Sequence, residues 1–368
     1  MEGNTLKRKH SRIRTAAVIA LVVAFLCALM WFLQCLLMPK YMKGIIEGAM
    51  TAEYYDSKEP HEVIFIGDCE VYENISTAEL YRKYGISSYI RGSAQQLAWQ
   101  SYYLLEDTLR YEKPKVVVFN VLALKYDKPQ KDTYNRMTLD GMRWSSSKVD
   151  AIKASMTEDE SFIEYLFPIL KYHSRWNELT SDDWKYLFSH DRVTTNGYYM
   201  RVDIRPQKEF PPAPRLTDYT LGENAMSYLR KMASLCRENG IELVLIKAPT
   251  EYPYWYDEWD AQIVDFARKW GLTYINYQDL KDEVGLDMTT DTYDEGLHLN
   301  IYGAEKMADH IGAFLVENYD LTDYREVPEV AALWEENLRF YDDLRAAQQK
   351  ELDEYGELRS WGIGAVEN

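Results

Sequence analysis

Residues able to carry nucleophilic and acid–base chemistry stand in a few short blocks of this 368-residue chain. The blocks are Gly67-Asp68-Cys69, Arg91-Gly92-Ser93-Ala94, Asn120, Lys247-Ala248-Pro249 and Asp294-Glu295-Gly296-Leu297-His298-Leu299-Asn300. A thiolate is a competent nucleophile where an imidazole or a helix N-terminus lowers its pKa. An imidazole whose second N–H is held by a carboxylate moves the proton. His61, His173, His190 and His310 stand in no comparable block. No His/Cys/carboxylate run has zinc spacing, and no Gly-x-Gly-x-x-Gly or Walker-type loop follows a strand. Neither a metal nor a nucleotide cofactor is therefore expected.

These blocks need elements to position them, and the hydrophobic pattern supplies the elements. His61 to Gly67, Ile86 to Arg91, Pro114 to Asn120, Ile241 to Lys247 and Leu272 to Asn276 read as strands, apolar throughout where both faces are covered. Between them lie helices over Ser76 to Tyr84, capped by Ser76 and ended by Gly85, then Ser93 to Arg110, Gly222 to Glu238 and Trp259 to Trp270. Another runs from Ile301 to about Asn318. Alternating strands and helices predict a parallel sheet with crossover connections, and the blocks fall at strand ends, where open parallel sheets gather functional groups. From about 125 to 220 the alternation lapses, and the chain reads as an insertion with helices over Ser147 to Ser155 and Glu160 to Tyr172. A charged helix from Glu329 to about Tyr355 follows the last strand.

Upstream, Ala16 to Met38 is a 23-residue apolar run with Gln34 as its one strongly polar member, long enough to span a bilayer. Lys7, Arg8, Lys9, Arg12 and Arg14 precede it, against Lys40 and Lys43 after it. The positive-inside rule then predicts a single-pass protein of the cell membrane, N-terminus cytoplasmic and the remainder extracytoplasmic. A cleaved signal peptide is the rival reading, disfavoured by the run's length and the lack of a small-x-small cleavage site. The chain divides into a basic tail (1–15), the span (16–38), a linker (39–58), an α/β domain (59–320) and a C-terminal extension (321–368). With 42 Lys and Arg against 59 Asp and Glu, the net charge is −17, which argues against a nucleic-acid partner. Beyond residue 43 the balance is 35 basic to 58 acidic groups, or −23. A composition 46% hydrophobic and 27% charged excludes a disordered polymer.

The order of these pieces resembles the GDSL/SGNH hydrolase superfamily over roughly residues 60–125 and 222–318. The turn after strand one, the Gly92 region and His298-Leu299-Asn300 look like its membrane-anchored branch, which includes D-alanyl-lipoteichoic acid transfer and alginate O-acetylation proteins. The resemblance implies a three-layer α/β/α, flavodoxin-like fold with an inserted, mostly helical subdomain. It also implies an acyl esterase or O-acyltransferase acting on a cell-envelope polysaccharide or lipid-linked glycan. Cys69, at the position of the family's serine, would be the nucleophile, with Asp68 beside it and His298 the general base. The backbone of Cys69 and Gly92 and the amide of Asn120 would form the oxyanion hole.

Several readings stay open. The family's acid matches Glu295, yet Asp294 is preferred for its shorter side chain, with Glu295 the alternate. Asn120 reads equally as a turn residue. Lys247, Tyr254 and Trp255 are candidate substrate contacts beside the cleft, although the stretch Tyr252 to Trp259 also suits lid packing. Cys69 can instead be an inert buried thiol in a non-catalytic glycan-binding or assembly factor. A third reading has a membrane-bound acyltransferase supplying the acyl group. A Cys69–Cys236 disulfide is not expected, since Cys236 belongs near the start of strand four, at the other edge of the sheet from the end of strand one.

Overall fold

The computed structural model describes residues 2–39, 46–189 and 191–359, with the backbone alone for residues 2–11, 46 and 47. Expectations resting on Lys40, Lys43, His190 and the side chains of Lys7, Arg8 and Lys9 lie outside the described residues. Two compact units form. One comprises residues 1–42 with 161–190, and the other comprises 43–160 with 191–368.

The larger unit is built on five parallel strands: β1 (Val63–Gly67), β2 (Ser88–Gly92), β3 (Val116–Asn120), β4 (Glu242–Lys247) and β5 (Thr273–Asn276). Their order is β2-β1-β3-β4-β5. Strand residues of β1 to β3 are all buried, as runs such as Val-Ile-Phe-Ile and Val-Val-Val-Phe require when helices cover both faces. On one face Ile64, Ile66, Val117, Phe119, Leu243 and Leu245 join Trp99, Leu229, Met232 and Phe266 in a single core. That layer holds the helices Ala98–Thr108, Glu223–Asn239 and Asp257–Trp270. Strand residues of the other parity face the opposite layer, in which Thr77–Tyr84 packs on Ile301–Asn318. Ser76 caps the first of these helices, its Oγ accepting from Glu79 N at 3.3 Å.

Strand order places β1 between β2 and β3, so successive crossovers leave β1 in opposite directions. The switch point between the C-terminal ends of β1 and β3 is where such sheets open a crevice. The C-terminal helix Pro328–Tyr355 seals the unit: Trp334 stacks on Tyr81 at 4.5 Å between ring centroids and donates from Nε1 to Ser87.

In the smaller unit, the helix Glu2–Leu37 contains an apolar stretch, Arg12–Leu37, long and apolar enough to cross a membrane. The expected helix over Glu160 to Tyr172 is two pieces, Phe162–Leu166 and Ile169–Tyr172. Pro168 separates them, because its ring cannot donate an N–H to the preceding turn.

Candidate active site

β1 ends in Gly67, paired in register with Gly92 of β2. A Cβ on Gly67 would lie 2.4 Å from Val71 Cγ2, and one on Gly92 would lie 3.1 Å from both Gly67 O and the Tyr72 ring. Only glycines permit this backbone approach. Asp68 then caps a single helical turn, Cys69–Tyr72, its Oδ1 accepting from Glu70 N at 3.2 Å. Cys69 opens that turn, half-buried, with its own N–H among the helix's unpaired leading donors.

Opposite stands the loop before Ile301–Asn318. Asn300 caps this helix, accepting from Tyr302 N and Gly303 N. The loop is tied to the Cys69 turn by Leu299 N donating to Asn74 Oδ1 at 2.8 Å. Asp294 accepts from His298 N at 2.8 Å and holds His298 Nδ1 at 2.6 Å. The other ring nitrogen is left by both carboxylates, and the Cys69 thiol is near enough for its charge and that of the imidazole to act on one another. Glu73, buried, lies 3.8 Å from the same Nδ1 and accepts from Tyr293 OH. The return limb of the insertion braces the loop. Arg205 N donates to Thr292 O at 3.0 Å, Ile301 N donates to Arg201 O at 2.7 Å, and Arg201 lies 4.1 Å over the Tyr293 ring.

Beneath the thiol lies a closed polar network. Glu70, fully buried, accepts from Lys247 Nζ at 3.0 and 3.1 Å, from Asn120 Nδ2 at 2.9 Å and from Thr250 Oγ1 at 2.5 Å. Asn120 Nδ2 also donates to Asp68 Oδ1 at 3.2 Å, and its Oδ1 accepts from Ala248 N. Burial, with the Glu70 charge beside it, pushes Asp68 up to about 6. Lys125, half-buried at the end of the turn after β3, feels the charges of Asp68, Glu70 and Cys69, while burial depresses its ammonium. Among the described residues no group of three His, Cys, Asp or Glu side chains is placed to hold a metal ion.

The structure brings Cys69, His298, Asp294, Asp68 and Gly92 together and draws others away. Glu295, at φ +67°, pairs with Lys208 at the surface, because the turn that aims Asp294 inward aims its neighbour out. Asn120 spends both amide hydrogens on Asp68 and Glu70, so neither points to an oxyanion. Lys247 is wholly buried against Glu70 and cannot reach a substrate. Trp255 packs on the core and donates to Asp260 at 3.1 Å. Tyr254 bonds Pro211 O, which fastens the aromatic stretch to the proline-rich segment. Cys69 and Cys236 are both free, and burial raises the Cys236 thiol to about 12.

Electrostatics at the pair differ from the expectation of a depressed thiol. Burial pushes Cys69 up, the His298 charge pulls it back, and Asp68 with Glu73 leave it above its ordinary value. A one-turn helix has too little dipole to reverse this. Burial disfavours imidazolium at His298, yet Glu73, Cys69 and Asp294 hold its pKa well above the usual range. Both groups are thus biased toward their protonated forms, and a thiolate–imidazolium pair forms when the two together lose one proton.

Glu73, Tyr293, Lys125 and Glu70 escaped the sequence reading. For Glu70 and Glu73 the signal was an acidic residue one and four places past Cys69, hence one helical turn apart. For Lys125 and Tyr293 no local signal existed.

No family model and no curated protein matches the sequence. Among solved structures the chain is similar to a GDSL-like lipase from Bacteroides thetaiotaomicron VPI-5482. The identity is 12%, over 74% of this chain and 100% of that chain, at a TM-score of 0.34. It is also similar to a candidate acylhydrolase from Bacteroides fragilis NCTC 9343, at 11% identity, 73% and 95% coverage and a TM-score of 0.36.

Proposed function

We propose that this protein is a membrane-anchored acyl esterase or O-acyltransferase acting on a glycan of the cell envelope. The observation that carries the reading is the Cys69–His298–Asp294 chain at the switch point of the sheet, with Asp294 fixing the imidazole at 2.6 Å. Once the pair has lost one proton, the Cys69 thiolate attacks the acyl carbonyl and imidazolium His298 passes its proton to the leaving oxygen, giving a thioester. Donors to the developing oxyanion are the Cys69 N–H and the Gly92 backbone, with the Lys125 ammonium supplying positive charge in place of Asn120. The apolar stretch Arg12–Leu37 supports anchoring, and Arg12 and Arg14 at its N-terminal end support a cytoplasmic N-terminus. A tethered enzyme suits a polymeric or lipid-linked substrate, with water or a sugar hydroxyl resolving the thioester.

The test is acyl trapping. The full chain in detergent is incubated with p-nitrophenyl acetate at pH 8.5 and its peptides are mapped by mass spectrometry. An acetyl group on Cys69, lost in His298→Ala, is the expected result. A Cys69 that iodoacetamide alkylates but activated esters never acylate would sink the reading. The raised thiol favours a second function, a non-catalytic glycan-binding or assembly factor using the same crevice. Glycan retention unaffected by Cys69→Ala would identify it.

A further inference from the structure

Among the described residues, seven of the fourteen exposed large apolar side chains outside the Arg12–Leu37 stretch lie in residues 161–189, a stretch of only 29. Phe188 is 87% exposed, Trp176 71%, Leu170 49% and Ile163 45%. This segment is a chain of short helical turns, Phe162–Leu166, Ile169–Tyr172, His173–Asn177 and Ser181–Lys185, with Tyr165 and Asp183 the buried members of those turns. Pieces this short bury too little to order themselves in water, and so dense a run of exposed apolar side chains marks an interaction surface.

The segment shares a compact unit with the apolar helix. Arg175 Nη1 donates to Leu37 O at 2.7 Å, setting a cation on the unpaired carbonyl end of that helix. Arg175 Nη2 reaches Asp183 at 2.9 Å, which ties two turns of the segment to the same point. Trp184 meets Phe32 at 6.3 Å between ring centroids, and Leu36 and Leu37 are buried. Phe32 lies roughly 8 Å along the axis from Leu37, so the segment wraps the last turns of the helix. In a spanning helix those turns sit where hydrocarbon gives way to headgroups, the layer that tryptophan and amphipathic helices favour.

We infer that residues 161–189 are a membrane-docking platform, with Ile163, Leu170, Trp176 and Phe188 seated at the headgroup boundary of the leaflet beyond Leu37. The inference rests on the spanning reading of Arg12–Leu37. The platform's partner is the lipid surface itself, reached by continuity with the anchor, and the chain is held by a span and an interfacial foot together.

Site-specific photo-crosslinking separates the two readings. p-Benzoylphenylalanine replaces Leu21, Trp176, Phe188 or Val264, each exposed, in the full chain reconstituted into phosphatidylethanolamine–phosphatidylglycerol nanodiscs, and lipid adducts are counted by mass spectrometry. Lipid adducts at 21, 176 and 188 about tenfold above those at 264 are expected. Adducts at 21 with 176 and 188 at the level of 264 overturn the platform and leave the span intact. Cross-linked dimers through 176 or 188 overturn it in favour of a second copy. No adducts at 21 remove the span, and the platform with it.

Discussion

Two histidines, at opposite ends of the first strand, each sit against two carboxylates, and only one has the makings of a site. His61 precedes β1. Its Nδ1 meets Glu112 at 2.9 Å, its Nε2 lies 3.8 Å from Glu59, and its ring packs against Tyr54 and Tyr89. Glu59 also accepts from Asn196 at 2.6 Å and Asn337 at 2.7 Å, so the cluster locks the return limb and the C-terminal helix onto the sheet. The His61 side chain is 2% exposed, and its Nε2 meets the Ser57 hydroxyl at 3.1 Å, at the N-terminal end of the strand and away from the switch point. His298 lies beyond the other end of β1, 17% exposed, with Cys69 at hand. A carboxylate partner raises both imidazoles. What separates them is a thiol in place of a hydroxyl neighbour, and the opening that the carboxyl ends of β1 and β3 provide.

The strongest way to break this contrast is to remove each imidazole. His298→Ala should lower acyl transfer by about 10³-fold or more, and should cost less stability than the loss of His61 because its pairs with Asp294 and Glu73 are less buried. His61→Ala should leave Cys69 acylation intact while lowering unfolding free energy by about 3 kcal/mol, because Glu112 and Glu59 lose their buried counter-charge. Calorimetry paired with the trapping assay reads both, and a His61 variant that folds normally but no longer acylates would erase the distinction. Asp294→Asn should cost about 10²-fold or more in rate by releasing the imidazole's tautomer. Glu295→Gln should leave the rate unchanged, since its surface pair with Lys208 does not touch the ring.

Protonation sharpens the contrast further. Burial favours a neutral His61, yet hydrogen bonds to Glu112 and Glu59 raise it from 6.5 to about 9. A raised folded-state value means that this stability is complete below pH 6.5 and is lost as pH rises through about 9. Urea unfolding at pH 6 and pH 9.5 should differ by about 3 kcal/mol from this group, and the difference should vanish in His61→Ala. Glu112, which burial raises but His61 pulls below its ordinary value, contributes in the opposite sense and loses its share on acidification. At the other end of the strand the readout is kinetic. Alkylation of Cys69 should rise with pH above the free-thiol value of about 8.5. Glu73 raises both members of the pair, so Glu73→Gln should move the limb to lower pH. A limb that stays in place would remove Glu73 from the site's electrostatics.

Local sequence determined what is periodic or sterically local. The apolar runs of β1, β3 and β4 announced a doubly covered parallel sheet, and Ser76 and Gly85 marked a helix's ends. The proline at 168 was equally readable, and it breaks the expected helix. Tertiary structure alone decided which carboxylate meets His298, because Asp294 and Glu295 differ by one residue and a loop's φ. It alone joined Glu73 to His298, 225 residues apart, and enclosed Lys247 with Glu70, turning an expected substrate contact into a buried ion pair. Asn120 sits at the expected strand end, but where its two amide hydrogens go depends on side chains from β1 and the turn after it. Periodicity encodes burial and backbone torsion one neighbourhood at a time. The pairing of charges and donors is set only when distant neighbourhoods share one desolvated space, where each group must find a partner.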